Sequence, residues 1–271
     1  MARAGPARYI RAMTRHIKLE GVDNLRDYGG YATVCGRGLK PGLLYRSAQH
    51  HQATDADLQA MQGLGLEVIV DLRRAEERAR SPSRRPPGFS GRVIDNDIGD
   101  ADHGWEAMLR GQDPTVELFR TQSLAWYQNS PFEPRHVDLF TRYFAVLAEV
   151  EGPVLIHCAA GKDRTGLLAA LTHHVAGVHQ DDMLADYLLT NTLDFHEVRA
   201  PAIAKLITSL SGSAPSDAAV RAAMSVEARY LEAALAAIEA RYGSVDAYLE
   251  QALGVDSTQR SAFEAKYLGS L

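Results

Sequence analysis

A thiol, a carboxylate and two cations lie within one short segment of the chain, residues 154–166, which reads VLIHCAAGKDRTG. The apolar run 154–156 is typical of a buried strand. Gly161 and Gly166 permit positive φ and a close approach of the backbone. Successive N–H groups in such a loop, followed by a helix N-terminus, can bind an anion. The segment therefore predicts an anion-binding loop between a strand and a helix that begins near Thr165.

Cys158 stands at the start of this loop, where the local positive potential favours the thiolate. A thiolate inside an anion site suits attack on the central atom of the anion, and the phosphorus of a phosphate monoester fits. Arg164 follows at the spacing C-x5-R, and its planar guanidinium can hold two phosphate oxygens. Lys162 adds a second cation, and Thr165 can donate its hydroxyl to the leaving sulfur. These residues predict hydrolysis through a covalent phosphocysteine.

Asp163 is the unexpected member of the loop, because a carboxylate repels a phosphate. It can act as general acid for the leaving oxygen if it is protonated in the complex. A Walker loop is excluded, since Ile156 stands where that motif needs its first glycine. A sulfurtransferase also uses a loop cysteine, but three charged residues after it suit phosphate better. A buried cysteine without function is the remaining alternative.

The overall composition is that of an ordinary globular protein. The chain has 271 residues, 46% hydrophobic and 23% charged, with a formal net charge of −5, which disfavours nucleic-acid binding. Its two cysteines exclude a disulfide framework and indicate free thiols in the cytoplasm. No apolar run is long enough to span a bilayer, and the N-terminus lacks the apolar core of a signal peptide. Export by a route without a signal peptide is compatible with the sequence.

Short β-branched runs alternate with helical patterns in the first two thirds of the chain. The predicted elements are a helix opened by Thr54 and closed by Gly63 or Gly65, strands at 65–73, 91–100 and 152–158, and helices at 134–150 and 166–175. This alternation indicates an α/β fold with a mostly parallel sheet.

The last third of the chain has helical patterns and no convincing strand. The predicted helices cover 220–242, 244–253 and 258–268, and a Ser-, Gly- and Pro-rich loop covers 209–217. The expected division of the chain is a basic arm at 1–16, an α/β core at 17–199 and a helical lobe at 200–271. The lobe is expected to pack on the core, either as ordinary structure or as a lid over the site.

The loop HCAAGKDRTG resembles the HC-x5-R-[ST] loop of cysteine-dependent protein tyrosine phosphatases. Its GKDRTG form is similar to the bacterial branch typified by the mycobacterial tyrosine phosphatase B. Further segments resemble that branch, namely NLRDYGGY at 24–31, GLLYRSAQ at 42–49, VIVDLRR at 68–74 and the last helices at 227–249. The resemblance covers most of the chain from residue 17 and is weakest over 100–135. It implies a phosphatase core with a central, mostly parallel sheet flanked by helices, without metal or cofactor.

The resemblance also implies roles for the residues of the loop. Cys158 is the implied nucleophile and Arg164 the implied phosphate clamp. The implied phosphate-binding residues, through backbone N–H groups or side chains, are Ala159, Ala160, Gly161, Lys162, Asp163, Arg164 and Thr165.

Two aspartates are candidates for the general acid. Asp163 lies in the loop itself. The other candidate follows the strand corresponding to 91–98, where Asp100 aligns better than Asp97 or Asp102. Neither position is preferred by the sequence.

The expected substrate is a phosphotyrosyl protein, a phosphoinositide or both. Lys162 favours the lipid, because an extra cation suits a substrate with several phosphates. The alternatives are a phosphoinositide or inositol-phosphate phosphatase as the main activity, and a catalytically silent module that binds phosphorylated ligands. We expect no nucleic-acid partner and no stable membrane insertion.

Two other groups of charged residues have two interpretations each. The arginine-rich segment 73–85 is either a basic rim for phosphorylated substrates or a solvated surface with Glu76 and Glu77 as local partners. Arg26 and Asp27 either support the site from a neighbouring loop or form a local salt bridge in a turn.

Overall fold

The computed structural model describes residues 15–99, 104–193 and 195–270. In these residues the strands are β1 (Arg26–Asp27), β2 (Gly38–Leu39), β3 (Leu44–Ser47), β4 (Val68–Asp71), β5 (Arg92–Ile94), β6 (Val154–His157) and β7 (Leu268–Gly269). The helices are α1 (Asp55–Gln62), α2 (Ala75–Arg80), α3 (Gly104–Leu109), α4 (Val116–Asn129), α5 (Pro134–Glu149), α6 (Asp163–Ala176), α7 (Gln180–Leu188), α8 (Phe195–Ser211), α9 (Asp217–Met224), α10 (Ala228–Tyr242), α11 (Val245–Gln251) and α12 (Ser257–Tyr267).

The main sheet has the strand order β1-β3-β6-β4-β5. The pairs β3–β6, β6–β4 and β4–β5 are parallel, and β1 is antiparallel to β3. The register places Ser47 of β3 and Asp71 of β4 on either side of His157, the last residue of β6. Cys158 therefore follows the central strand at the carboxyl edge of the sheet, the usual ligand-binding edge of open α/β sheets.

Hydrophobic side chains pack on both faces of the sheet, as is usual for parallel strands. Successive residues of the central strand point to opposite faces and so belong to different clusters. Val154 and Ile156 of β6 belong to the main hydrophobic cluster, with helices α5 and α6. Leu155, between them, belongs to a second cluster on the opposite face, formed with α1. The prediction of an α/β fold with a mostly parallel sheet flanked by helices is confirmed.

Most local predictions in the first two thirds of the chain are confirmed. Thr54 caps α1 through a capping box with Asp57, and Gly63 ends that helix. Helix α6 is buried almost all round and begins two residues before the predicted Thr165. It ends at Gly177, which adopts the left-handed conformation typical of a helix C-terminus.

Two predictions in the last third are wrong. The helix predicted at 220–242 is broken at 225–227 into α9 and α10. Tertiary contacts cause the break: the side chain of Asn191 bonds both the N–H and the carbonyl of Val226. The last third also contains a strand, since Leu268 in β7 pairs with Leu39 in β2.

The segment predicted as a helical lobe, 200–271, divides between two hydrophobic clusters. Helices α8 and α9 pack with α3 and α4 in a cluster of their own, which includes Phe119, Ile207 and Val220. Helices α10, α11 and α12 instead join the main cluster around the sheet. Among the described helices, none combines the length and apolar character needed to cross a bilayer.

Candidate active site

The loop between β6 and α6 turns sharply around a buried cysteine. The side chain of Cys158 is 2% exposed. Gly161 has φ of +67°, and a Cβ built there would lie 2.5 Å from the backbone of Ser47. Only glycine fits this close approach between the loop and β3.

The scaffold binds the carbonyl groups of this loop from outside. The N–H of Gln49 donates to the carbonyl of Ala159 at 3.1 Å. Asn24 Nδ2 donates to the carbonyl of Gly161 at 2.9 Å and to the preceding carbonyl at 3.2 Å. Arg46 Nη2 also donates to the Gly161 carbonyl, at 3.0 Å. A loop whose carbonyls are bound from outside can direct its N–H groups to an anion.

A buried ion cluster supports these donors. Asp186 of α7 accepts from Arg26 Nε at 3.2 Å and from Arg46 Nη1 at 2.7 Å. Arg26 in turn donates to the side-chain oxygen of Asn24. Burial alone would raise the pKa of Asp186, but the two guanidinium groups hold it well below its usual range. Burial, with Arg46, lowers the pKa of Arg26 to about 10, so Arg26 and Asp186 are both charged at neutral pH.

These contacts decide between the two interpretations of Arg26 and Asp27. Arg26 bonds Asn24 and Asp186, and so supports the loop indirectly. Asp27 accepts from the backbone N–H groups of Gly29 and Gly42, at 2.7 Å and 2.6 Å. The carboxylate therefore fixes a turn, while the arginine belongs to the site.

Arg164 is oriented by a carboxylate that sequence reasoning assigned to neighbouring arginines. Its Nη1 and Nη2 donate to Glu77 of α2 at 2.5 Å and 2.8 Å, and Nη1 also donates to the carbonyl of Leu72 at 3.1 Å. Burial alone would raise the pKa of Glu77, but Arg164 lowers it to about 2. Burial alone would lower the pKa of Arg164, but Glu77 raises it above its ordinary value.

This pairing leaves the guanidinium of Arg164 partly available. The bonds to Glu77 and Leu72 use three of its five N–H donors. Among the described residues, no partner uses the Nε–H and one Nη2–H, and these two donors lie on one edge of the planar group. That edge can bind two phosphate oxygens while Glu77 holds the other edge.

Lys162, which the sequence assigned to phosphate, has its side chain directed at the helical segment. Its Nζ donates to the carbonyls of Ala223 at 2.7 Å and Ser225 at 3.2 Å, at the C-terminal end of α9. A cation at this end of a helix interacts favourably with its unpaired carbonyls. Lys162 therefore joins the loop to α9 in this structure.

Asp163 opens α6 and is turned toward α4. Its Oδ1 accepts from the hydroxyl of Tyr127 at 3.1 Å, and its Oδ2 lies 3.6 Å from Lys162 Nζ. The side chain is 32% exposed. The other proposed acid, Asp100, lies outside the described residues, as does Asp102. Asp97, which is described, pairs with Arg78.

The side chains of Thr165 and His157, on either side of the loop in sequence, are both buried. Thr165 is fully buried, and its hydroxyl has no hydrogen-bond partner among the described residues. His157 is buried, stacks on His50 with ring centroids 4.3 Å apart and lies 3.5 Å from Asp71. Burial lowers the pKa of His157 to about 4, so the ring is neutral at neutral pH.

Comparison with known proteins identifies the family. A model of the tyrosine phosphatase family matches residues 17–269. The chain belongs to this family. A Cupriavidus necator protein whose name places it among the tyrosine-protein phosphatases is 34% identical over 247 residues, 90% of this chain and 87% of its own. The triple specificity protein phosphatase PtpB of Mycobacterium tuberculosis is 30% identical over 263 residues, 87% of this chain and 93% of its own.

Among solved structures, P. aeruginosa TpbA is similar to this phosphatase. It is 21% identical, with a TM-score of 0.32, and the alignment covers 72% of this chain and 96% of that chain. The resemblance to bacterial tyrosine phosphatases found in the sequence is confirmed by the family match.

Sequence reasoning missed three residues of the site of this phosphatase. Glu77, Asp186 and Tyr127 each contact a loop residue or its support from a distant part of the chain. No local pattern marks them. Arg46 and Asn24 lie within segments that resemble the family, and that resemblance was the available signal for both.

Proposed function

We propose that this phosphatase hydrolyses phosphate monoesters through a phosphocysteine on Cys158. The observation that carries the proposal is the state of the loop. Its carbonyls are bound by the scaffold, and one edge of Arg164 has no bond to any of the described residues. Preorganised N–H donors and a guanidinium edge match the charge of a phosphoryl group in transfer.

In the first step, Sγ of Cys158 attacks phosphorus. The S–P bond forms as the bond from phosphorus to the leaving oxygen breaks, and an aspartic acid, Asp163 or Asp100, protonates that oxygen. In the second step, water attacks phosphorus, its proton passes to the same aspartate, and the S–P bond breaks. The unbonded hydroxyl of Thr165 is available to donate to the sulfur as it leaves.

The proposed substrates are phosphotyrosyl proteins and phosphoinositides. The name of the Cupriavidus necator relative favours phosphotyrosine, and that of PtpB attributes a triple specificity to that protein. Lys162 favours a substrate with more than one phosphate. Its ammonium would then exchange the carbonyls of Ala223 and Ser225 for phosphate oxygens. We place the enzyme in the cytoplasm, where its thiol stays reduced.

The test of the mechanism is Cys158→Ser. We expect the variant to bind inorganic phosphate as the wild type does and to lose turnover of 4-nitrophenyl phosphate. Wild-type turnover should persist in EDTA. A Cys158→Ser protein with full activity, or a wild type that requires a divalent ion, would contradict the mechanism. A wild type that binds phosphate but turns over no phosphomonoester would show a phospho-binding module instead.

The test of the substrate class compares a phosphotyrosine peptide, a phosphoserine peptide and a phosphoinositide in vesicles. We expect turnover of the first and third. Lys162→Met should lower kcat/KM for the phosphoinositide more than for the peptide. Equal losses on both would contradict a role of Lys162 in binding a second phosphate.

A further inference from the structure

Two buried tyrosine hydroxyls in series end on Asp163. The hydroxyl of Tyr187 in α7 donates to the hydroxyl of Tyr127 in α4 at 2.8 Å, and Tyr127 donates to Asp163 Oδ1 at 3.1 Å. The tyrosine side chains are at most 1% exposed. Neither tyrosine has a part in the mechanism described so far.

The direction of these hydrogen bonds is fixed by chemistry. Burial raises the pKa of Tyr127 and of Tyr187 well above the ordinary value, so each hydroxyl keeps its one hydrogen. Tyr187 uses its hydrogen on Tyr127, and Tyr127 uses its own on Asp163 Oδ1. Oδ1 is thereby an acceptor, and Oδ2 is the oxygen of Asp163 that can exchange a proton.

The contact also limits the rotation of the carboxyl group. Asp163 is the first residue of α6, and its side chain is partly exposed. An exposed aspartate rotates freely about its terminal bond. A donor that is itself packed and hydrogen-bonded removes that freedom. Tyr127 is held in this way, because its ring lies between Trp126, Tyr187 and the stacked ring of Tyr230.

We propose that Tyr127, itself held by Tyr187, is a positioning residue that makes Asp163 the general acid of the first step. The proposal rests on the phosphatase function proposed above. The proton on Oδ2 of Asp163 passes to the leaving oxygen as the P–O bond breaks and the S–P bond forms. In the second step the resulting carboxylate takes a proton from the attacking water as the S–P bond breaks.

The experiment measures kcat/KM, which reports the step that expels the leaving group, for phenyl phosphate and 4-nitrophenyl phosphate. Phenol is the poorer leaving group and depends more on an acid. We expect Asp163→Asn to lower kcat/KM for phenyl phosphate about 10²-fold or more. We expect Tyr127→Phe to lower it about three- to tenfold. Both variants should affect 4-nitrophenyl phosphate far less.

A pH profile separates positioning from a structural role. The lost hydroxyl is a donor to the ionised carboxylate, so Tyr127→Phe should shift the alkaline limb of kcat/KM to higher pH. Tyr187→Phe should shift it in the same direction by less, and it provides the test if Tyr127→Phe does not fold. Tyr143→Phe is the matched control. It removes a buried hydroxyl bonded to Tyr28 and Thr172, away from the loop, and should change neither the pH limb nor the leaving-group dependence.

Three results would overturn the proposal. The first is an equal loss by Tyr127→Phe on both substrates with an unchanged pH limb, which is the signature of a structural role. The second is an Asp163→Asn enzyme whose ratio of kcat/KM for the two esters equals that of the wild type. That result would mean that another residue is the general acid. The third is a wild type without activity on either ester, which would overturn the proposed function and this inference with it.

Discussion

The loop between β6 and α6 is held on two sides by contacts of different kinds. The buried flank consists of Asn24, Arg26, Arg46 and Asp186. The helical flank consists of Lys162, Asp163 and Tyr127 with the end of α9 at 223–225. Side chains of the buried ion cluster are at most 2% exposed, whereas those of Lys162 and Asp163 are 11% and 32% exposed. On the buried flank charges pair inside the core. On the helical flank, hydrogen bonds from Lys162 and Tyr127 connect the loop and the start of α6 to α9 and α4.

The difference in burial between the two flanks can be related to the rigidity that each part of the loop needs. Every substrate brings the same phosphoryl group, and N–H donors aimed at it act best when they cannot move. The buried flank fixes the carbonyls of Ala160 and Gly161, and with them the N–H groups. On the helical flank the bonds are fewer and more exposed, and such contacts permit local rearrangement.

The largest effect expected from this comparison is that of Asp186→Asn. The substitution leaves two buried guanidinium groups without a carboxylate, and breaking a buried pair costs about 3–5 kcal/mol. Chemical denaturation should show a loss of stability in that range. Activity at a temperature where the variant is folded should also fall, because Arg46 loses the partner that orients it toward Gly161.

Asp246→Asn is the matched control for this prediction. Asp246 also contacts two basic side chains, His174 and Arg260, but it is 64% exposed. Exposed pairs contribute about 0–1 kcal/mol. If Asp186→Asn and Asp246→Asn lower the free energy of unfolding equally, burial does not set the strength of these contacts. The proposed difference between the buried flank and the helical flank would then be wrong.

Glu77→Gln is expected to have an intermediate effect that depends on pH. Glu77 and Arg164 are 15% and 13% exposed. The pKa of Glu77 is lowered from 4.5 to about 2, mainly by Arg164 against the opposing effect of burial. A depressed folded-state pKa stabilises the fold above the unfolded value, and this stabilisation is lost as pH falls from 4.5 toward 2. It amounts to about 3 kcal/mol at neutral pH.

Glutamine has the shape of a protonated glutamate, so the variant should lack this contribution at every pH. Denaturation at pH 7 should therefore separate wild type and Glu77→Gln by about 3 kcal/mol, and the gap should shrink at pH 3. The variant should also lose kcat/KM, because Arg164 is no longer held at one edge. A gap that is independent of pH would mean that the carboxylate is not ionised against Arg164.

The loop was predictable from sequence because its information is local. The apolar run before Cys158, the glycines and the spacing to Arg164 all lie within one segment, and β6 and α6 follow from them. Glu77 illustrates the limit. Its neighbours in sequence are arginines, and only the fold reveals that its partner is Arg164.

The direction of the Lys162 side chain could not be predicted from the sequence either. A lysine in an anion loop predicts a contact with the anion, but its acceptors here are carbonyls of Ala223 and Ser225 at the end of a helix. Those carbonyls are available because the chain breaks at 225–227, where Asn191 bonds Val226. The break depends on tertiary contacts, so the helical periodicity of 220–242 could not indicate it.

The smallest expected effect belongs to Lys162→Met, on the helical flank. The variant keeps the apolar stem but loses the bonds to the end of α9, at a cost of about 1.5 kcal/mol for bonds from a charged donor. Because the contact is local, hydrogen exchange should rise at 217–224 and stay unchanged within α6. Lys205→Met, at an exposed position of α8, is the control. It should change hydrogen exchange neither at 217–224 nor within α6. Faster exchange throughout α6 would instead mean that the two flanks of the loop are stabilised as one unit.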